Sequence, residues 1–199
     1  MKSRRRPKTG LCAAGKIPVL AVLAIAAGGL VLGCAARAAC GNRSSGNRFV
    51  PEPDRPVDLS QYLGKWYELA RYDNRFERDC EAVTAEYGLL PDGGISVRNS
   101  CRRGSPSGPL KVATGKARVV PDSGNAKLKV SFFGPFYLGN YWVLDHAENY
   151  SWSIVGEPSG RYLWILAREP LPDRAEVEML YRRAAELGYD TSRLRPTRQ

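Results

Sequence analysis

"LGKWYELARYDNRFERDC", residues 63–80, decides how the rest of the chain is read. A Gly-x-Trp opens it, and Trp66, Tyr67 and Tyr72 crowd one strand-length run with Glu68 and Arg71 among them. Large residues alternate there as on a strand with one buried face. A tryptophan at the head of a first strand needs a substantial partner, because burying its ring removes ~150–250 Å² from water.

Downstream, turn signals recur at short intervals: "PDGG" at 91–94, "GSPSGP" at 104–109, "PDSGN" at 121–125, "GPFYLGN" at 134–140, "DHAEN" at 145–149 and "GEPSG" at 156–160. The aromatic and β-branched segments between them predict eight strands, at 65–73, 81–90, 94–102, 110–120, 126–133, 140–146, 150–156 and 161–168. Val83, Ala85, Tyr87 and Leu89 share one face of the second strand. In the fifth, Leu128, Val130 and Phe132 alternate with Lys127, Lys129 and Ser131. The fourth presents a face of small residues, Ala113, Gly115, Ala117 and Val119, which either leaves room inside or packs closely against a neighbour. The segment "DRAEVEMLYRRAAEL", 173–187, instead puts Val177, Leu180, Tyr181 and Ala184 on one helical stripe, with Asp173 as N-cap and Gly188 as the stop. Short strands in hairpin succession followed by one amphipathic helix predict an all-β fold. We expect an eight-stranded up-and-down antiparallel barrel with the C-terminal α-helix packed outside, a β-sandwich being the alternative. Eight strands enclose room for side chains or one small ligand.

Upstream, the formal charge of +10 is unevenly placed. Residues 1–33 hold Lys2, Arg4, Arg5, Arg6, Lys8 and Lys16 and no acid; without them Lys+Arg falls to 24 against 20 Asp+Glu. No nucleic-acid partner is expected from so modest a remainder. The basic head runs into the apolar stretch Ile17–Gly33, a secretory signal pattern. It ends in "LVLGC", which resembles a bacterial lipobox and marks Cys34 for lipidation, although Leu32 is bulky for the motif and Val31 stands where Leu is commonest. The alternative is an uncleaved anchor, yet as a helix the stretch would span only ~26 Å of a ~30 Å hydrocarbon core. Either way the domain is exported. Ala35 after the cysteine, rather than Asp, favours the outer membrane, with the domain facing the periplasm. Residues 34–57, rich in Arg, Gly, Ser, Asn and Pro, read as a flexible tether, 58–190 as barrel and helix, and 191–199 as a C-terminal tail.

"YLGKWYELARYDNRFERDC", "KVSFFGPFY" and "YLWILAREP" resemble the lipocalins, and among them the bacterial outer-membrane lipoprotein type akin to apolipoprotein D. The likeness covers about 58–190 and is carried by Gly64-x-Trp66, Leu144-Asp145 and Arg168. It implies that Trp66 closes the barrel floor with Arg168 lying across its ring, a structural pair. It also implies that Tyr87, Asn99 and Trp164 line a ligand pocket. Alternation adds Ala85, Val97, Val130 and Phe132 as wall residues, and turns Leu166, Trp164 and Tyr162 inward. Arg102 and Arg103 either meet an anionic headgroup or are solvated turn charges. In an oxidising compartment Cys80 and Cys101 are the natural disulfide pair. Pairing Leu90 with Ile95 leaves them about four residues out of register, so a bulge or a loop lead-in before the second strand is needed to bring them within bridging distance.

The function expected from this is a binding module: a lipid-anchored cup that carries or stores a fatty acid or lysophospholipid, with envelope maintenance or stress as its setting. No catalysis, cofactor or metal is expected, since the chain has no HExxH, Gly-rich phosphate loop or CxxC, and its one histidine, His146, falls in a turn. Two alternatives stand beside it. A thiol-dependent lipocalin enzyme would need Cys80 or Cys101 free and inward. A surface-presenting envelope protein would act through a protein partner. Glu68 is inward by alternation from Trp66, and either pairs with an inward Arg or Tyr or is turned out by a bulge.

Overall fold

The computed structural model describes residues 46–199. The signal segment, Cys34, Cys40 and the first part of the tether lie outside them. A short helix α1 (Leu59–Tyr62) precedes eight antiparallel strands: β1 (Gly64–Tyr72), β2 (Cys80–Leu89), β3 (Ile95–Arg103), β4 (Leu110–Val119), β5 (Lys127–Ser131), β6 (Gly139–His146), β7 (Trp152–Gly156) and β8 (Leu163–Ala167). Helix α2 (Arg174–Glu186) and a three-residue strand β9 (Leu194–Pro196) follow. Neighbours in sequence pair in space from β2 to β8, β8 pairs with β1, and β1 pairs with β2, so the sheet closes into a barrel. The sandwich alternative is therefore excluded. The turns after β1, β3, β5 and β7 form the mouth, and those after β2, β4 and β6 lie at the floor. No helix among the described residues is long and apolar enough to cross a membrane.

Three bulges break the alternation, and each re-aims side chains. In β1 the register shifts between Glu68 and Ala70, which sends both Leu69 and Ala70 outward under α2 and turns Arg71 into the barrel. In β6 the shift between Val143 and Asp145 turns Leu144 and Asp145 outward together. Leu144 packs in the outer core with Leu180 and Ala184 of α2, both fully buried. Asp145 bonds Arg183 of α2 (2.6 Å) and Arg55 (3.0 Å). Burial of Leu180 alone contributes ~1.5–3 kcal/mol. Asp173 caps α2 by accepting from the Glu176 N–H at 2.7 Å, and Gly188 ends it at φ +88°, where a side chain would be strained.

The third bulge places Ala82 and Val83 opposite Cys101. With Leu89 paired to Ile95, it sets Cys80 opposite Arg103, on the same face as Cys101 and within reach. The two cysteines are bridged, with Cα atoms 5.4 Å apart. The four-residue mismatch expected from the turn thus shrinks to two, through a one-residue difference in the hairpin and this bulge.

Two segments read as loose chain are built into the barrel. From residue 46 the tether runs along its side: the Gly46 N–H donates to Gly160 O at the mouth (3.0 Å), the Asn47 amide donates to Leu187 O (2.8 Å), and the Val57 N–H donates to Gly124 O at the floor (2.7 Å). Asn47 and Val57 are buried, so residues 46–57 are part of the folded domain rather than of a flexible tether. At the other end, β1 and β2 pair directly only over Gly64–Tyr67. Above that point the strands splay, and residues 194–199 fill the gap. β9 pairs with Ala70–Tyr72, the Thr197 N–H donates to Leu69 O (2.9 Å), and the Ala82 N–H donates to Arg198 O (2.6 Å). The predicted tail is the last stave of the barrel.

Candidate functional site

The floor is sealed. Arg168 lies with its guanidinium carbon 3.8 Å from the Trp66 ring centre. Its nitrogens donate to the carbonyls of Lys65 (2.7 Å), Gln61 (2.6 Å) and Leu63 (2.9 Å), which ties the end of α1 to the barrel. Trp66 is fully buried and donates its indole N–H to Tyr62 O at 2.8 Å. Above it, three tyrosine hydroxyls form a chain: Tyr62 to Tyr141 at 2.9 Å, Tyr141 to Tyr87 at 3.0 Å, and Tyr62 to Ser153 at 3.1 Å. Burial pushes the Tyr62 hydroxyl up to about 12 and holds Tyr87 and Tyr141 well above the ordinary tyrosine range. The cluster is a neutral plug with its polar atoms satisfied.

Above the plug lies the interior wall of the barrel. Ala85 stands between Trp66 and Asn99 across the strands, and Tyr87 is opposite Val97. Val97 is buried with Ile95, Ala117 and Leu128, and Val130 packs against the same group. Phe132 enters beside Gly115: a Cβ added there would stand 2.8 Å from the ring. At that position the small face of β4 makes room for an aromatic ring. One step nearer the mouth, Ala113 is inward yet exposed, and Phe132 itself is 39% exposed. The upper half of the cup is therefore open to solvent. Asn99 has its side-chain carbonyl buried with no partner, which leaves an acceptor idle on this wall.

The mouth carries groups that alternation could not have located. Arg71, fully buried, donates to Glu68 Oε1 at 2.5 Å, to Thr197 Oγ1 at 2.9 Å and to the carbonyls of Glu77 (3.0 Å) and Cys80 (2.9 Å). Glu68 is thus inward and paired, the first of the two outcomes weighed for it. Its carboxyl is pushed up to about 8, by burial first and then by the nearby Glu77 charge. Glu77 belongs to the 73–79 loop, which folds over the mouth. Its carboxylate accepts from the Trp164 indole N–H at 3.0 Å, Lys111 Nζ donates to Phe76 O at 2.7 Å, and Phe76 lies tilted against Tyr162 with ring centres 5.7 Å apart, Tyr162 itself being stacked on Trp164. Arg102 and Arg103 are exposed, and Arg102 donates to Gly108 O in its own turn, the solvated-charge outcome. His146 stacks on Tyr150 and has both ring nitrogens against carbonyls, of Ala147 and Pro56, away from the cup. The disulfide leaves neither Cys80 nor Cys101 as a thiol, which removes the thiol-dependent route at those residues.

A second hollow, about 670 Å³, lies outside the barrel between α2 and β9, lined by Leu69, Pro172, Val177, Tyr181 and Pro196. Of its lining residues Thr197 alone also reaches the interior, through its bond to Arg71, and the hollow opens outside the barrel, so the cup remains the candidate site.

A family model described as a lipocalin-like domain matches residues 57–199. The outer membrane lipoprotein Blc of Vibrio cholerae is 48% identical over 151 residues, covering 73% of this chain and 86% of that protein. The protein of the same name from Escherichia coli K12 is 43% identical over 150 residues, covering 72% and 83%. Among solved structures, insecticyanin from Manduca sexta superposes with a TM-score of 0.60 at 22% identity, over 77% of this chain and 87% of that one. That last likeness speaks for the fold alone.

Proposed function

The chain belongs to the lipocalin-like family, and on that premise we propose that it is a lipid-anchored carrier or store for a hydrophobic ligand. Its Blc relatives, named as outer membrane lipoproteins, support the same envelope for this protein, with acylation at Cys34 and the cup facing the periplasm. The ligand we infer is a fatty acid or a lysophospholipid. One observation carries the reading: an interior wall of small and aromatic residues, Ala85, Val97, Ala113, Val130, Phe132 and Trp164, that is solvent-open at the mouth and stops at a tyrosine plug. Each methylene buried against such a wall contributes ~0.8 kcal/mol, so an acyl chain binds without elaborate polar recognition. We infer a role in envelope lipid transport or storage under stress, which an anchor at Cys34 would serve by holding the cup beside its lipid source.

The test is a titration of residues 46–199 with a fatty acid and with a lysophospholipid, read by tryptophan fluorescence. Saturable binding at micromolar or tighter concentration, weakened at least roughly tenfold in Trp164→Ala while the fold survives, is the expected result. A second reading, an envelope protein acting through a partner surface, is favoured by the exposed Phe133, Phe136 and Leu138 of the loop between β5 and β6. Failure of a folded protein to bind either amphiphile would shift the weight there.

A further inference from the structure

We propose that the anionic end of an amphiphile, a carboxylate or a phosphate, binds between the Trp164 indole N–H and the Arg71 guanidinium, in the place now filled by the Glu77 carboxylate. The inference deepens the carrier reading and rests on it. Glu77 acts as a built-in stand-in for the ligand, and the 73–79 loop is a lid closed on its own side chain.

The first support is an orphaned donor. Arg71 is fully buried, and four of its bonds go to Glu68, Thr197 and two carbonyls, which fix the guanidinium in place. Its Nε has no acceptor. The Glu77 carboxylate comes within 3.8 Å of it, too far for a hydrogen bond, and the same oxygen already accepts from Trp164 and Asn74. A buried N–H on a charged group is costly to leave unmade. A headgroup oxygen free of the chain could bond both this Nε and the Trp164 N–H, each a charge-assisted contact.

The second support is that the exchange is inexpensive in charge and in backbone. One anion leaves as another enters, so the mouth keeps its electrostatic balance beside Glu68 and Arg71. The Glu77 carbonyl is pinned by Arg71 and by the Cys80 N–H (3.0 Å), so only the carboxylate must swing out. The rest of the lid is lightly held. Asn74 organises it internally by accepting from the Phe76 and Glu77 N–H groups, each at 3.0 Å, and donating to the Glu77 carboxylate. At its ends the Asp79 carbonyl accepts from the Gly104 N–H (2.7 Å) and Asp73 lies 3.8 Å from Arg195, while its centre is held by the exposed Lys111 bond and the half-exposed Phe76 ring. An acyl tail entering past Phe76 would reach the Phe132 and Val130 wall with its charged end at Trp164.

Calorimetric titration of the full chain with three ligands of one acyl length tests this: the fatty acid, the lysophosphatidate and the neutral monoacylglycerol. Glu77→Gln removes the competing charge at constant size. It is expected to tighten the anions about tenfold and the monoacylglycerol by much less, and Trp164→Phe to weaken the anions preferentially. A gain confined to the fatty acid assigns the site to a carboxylate, and one confined to the lysophosphatidate assigns it to a phosphate. Equal change for all three ligands, or none, in Glu77→Gln overturns the headgroup site while the carrier reading stands. No binding of any of the three by folded protein overturns both.

Discussion

Arg168→Lys separates two explanations of the barrel floor. If charge near Trp66 were enough, lysine would serve. The geometry says otherwise: the flat guanidinium sits 3.8 Å from the ring centre while its two terminal nitrogens reach the carbonyls of Lys65, Gln61 and Leu63. An ammonium is a point donor and cannot stack and fork together. The substitution forfeits a cation–π contact of about 1 kcal/mol and at least one charge-assisted bond of ~1.5–3 kcal/mol. Water can reach part of this half-exposed site and take over some of that loss. The expected cost is ~2–3 kcal/mol, a fall in Tm of ~4–12 °C for a domain of this size. Urea unfolding followed by tryptophan fluorescence measures it, with the denaturant slope unchanged if only stability is altered. A variant within ~0.5 kcal/mol of the parent, inside the usual range for neutral surface changes, would refute the reasoning and leave Trp66 burial alone to hold the floor.

Two further outcomes follow from the mouth. Replacing Cys80 and Cys101 together by serine, in a loop of 21 residues, should cost ~3 kcal/mol by chain entropy and raise proteolysis at the 73–79 loop first; an unchanged urea midpoint would contradict it. Glu68 has a folded-state pKa raised above its unfolded value of 4.5, to about 8. The native state therefore keeps a proton that the unfolded chain has released, so this contribution is full below pH 4.5 and is lost as pH rises through 8. Unfolding midpoints measured across that window should decline with pH, and Glu68→Gln should flatten the decline; a wild-type profile as flat as the variant's would rule it out.

How far the sequence reaches depends on whether a residue obeys a period. The Trp66–Arg168 pair was legible only through the resemblance, whereas the α2 stripe was legible because helical spacing acts locally, and α2 buries Leu180 and Ala184 as the spacing requires. Ala85 and Val97 face inward as period-two alternation requires where no bulge intervenes, while Tyr87 and Asn99 were named by the resemblance. Arg71 was not legible, since alternation from Trp66 points it outward and only the Leu69–Ala70 bulge turns it in. Asp145 escaped for the same reason: its neighbour Leu144 shares its face. Tyr62 and Tyr141 could have been found, Tyr62 as the residue one helical turn before Trp66 and Tyr141 as the inward partner of Leu128. The pairing of residues 194–199 left no signal, because three strand residues ending in a proline show no period at all.

The stave formed by those residues has a consequence for the order in which the molecule can be completed. Glu68 and Arg71 are synthesised early, yet the Thr197 hydroxyl that bonds both lies 129 and 126 positions later. Until that stretch has been translated, a growing chain can pair Glu68 with Arg71 but lacks the β9 partner and the hydroxyl that complete their network. Contacts of such separation form late, because the loop between them must close first. A polypeptide threaded through a translocation pore before folding benefits from a seam that cannot close until residues 126 positions beyond Arg71 arrive.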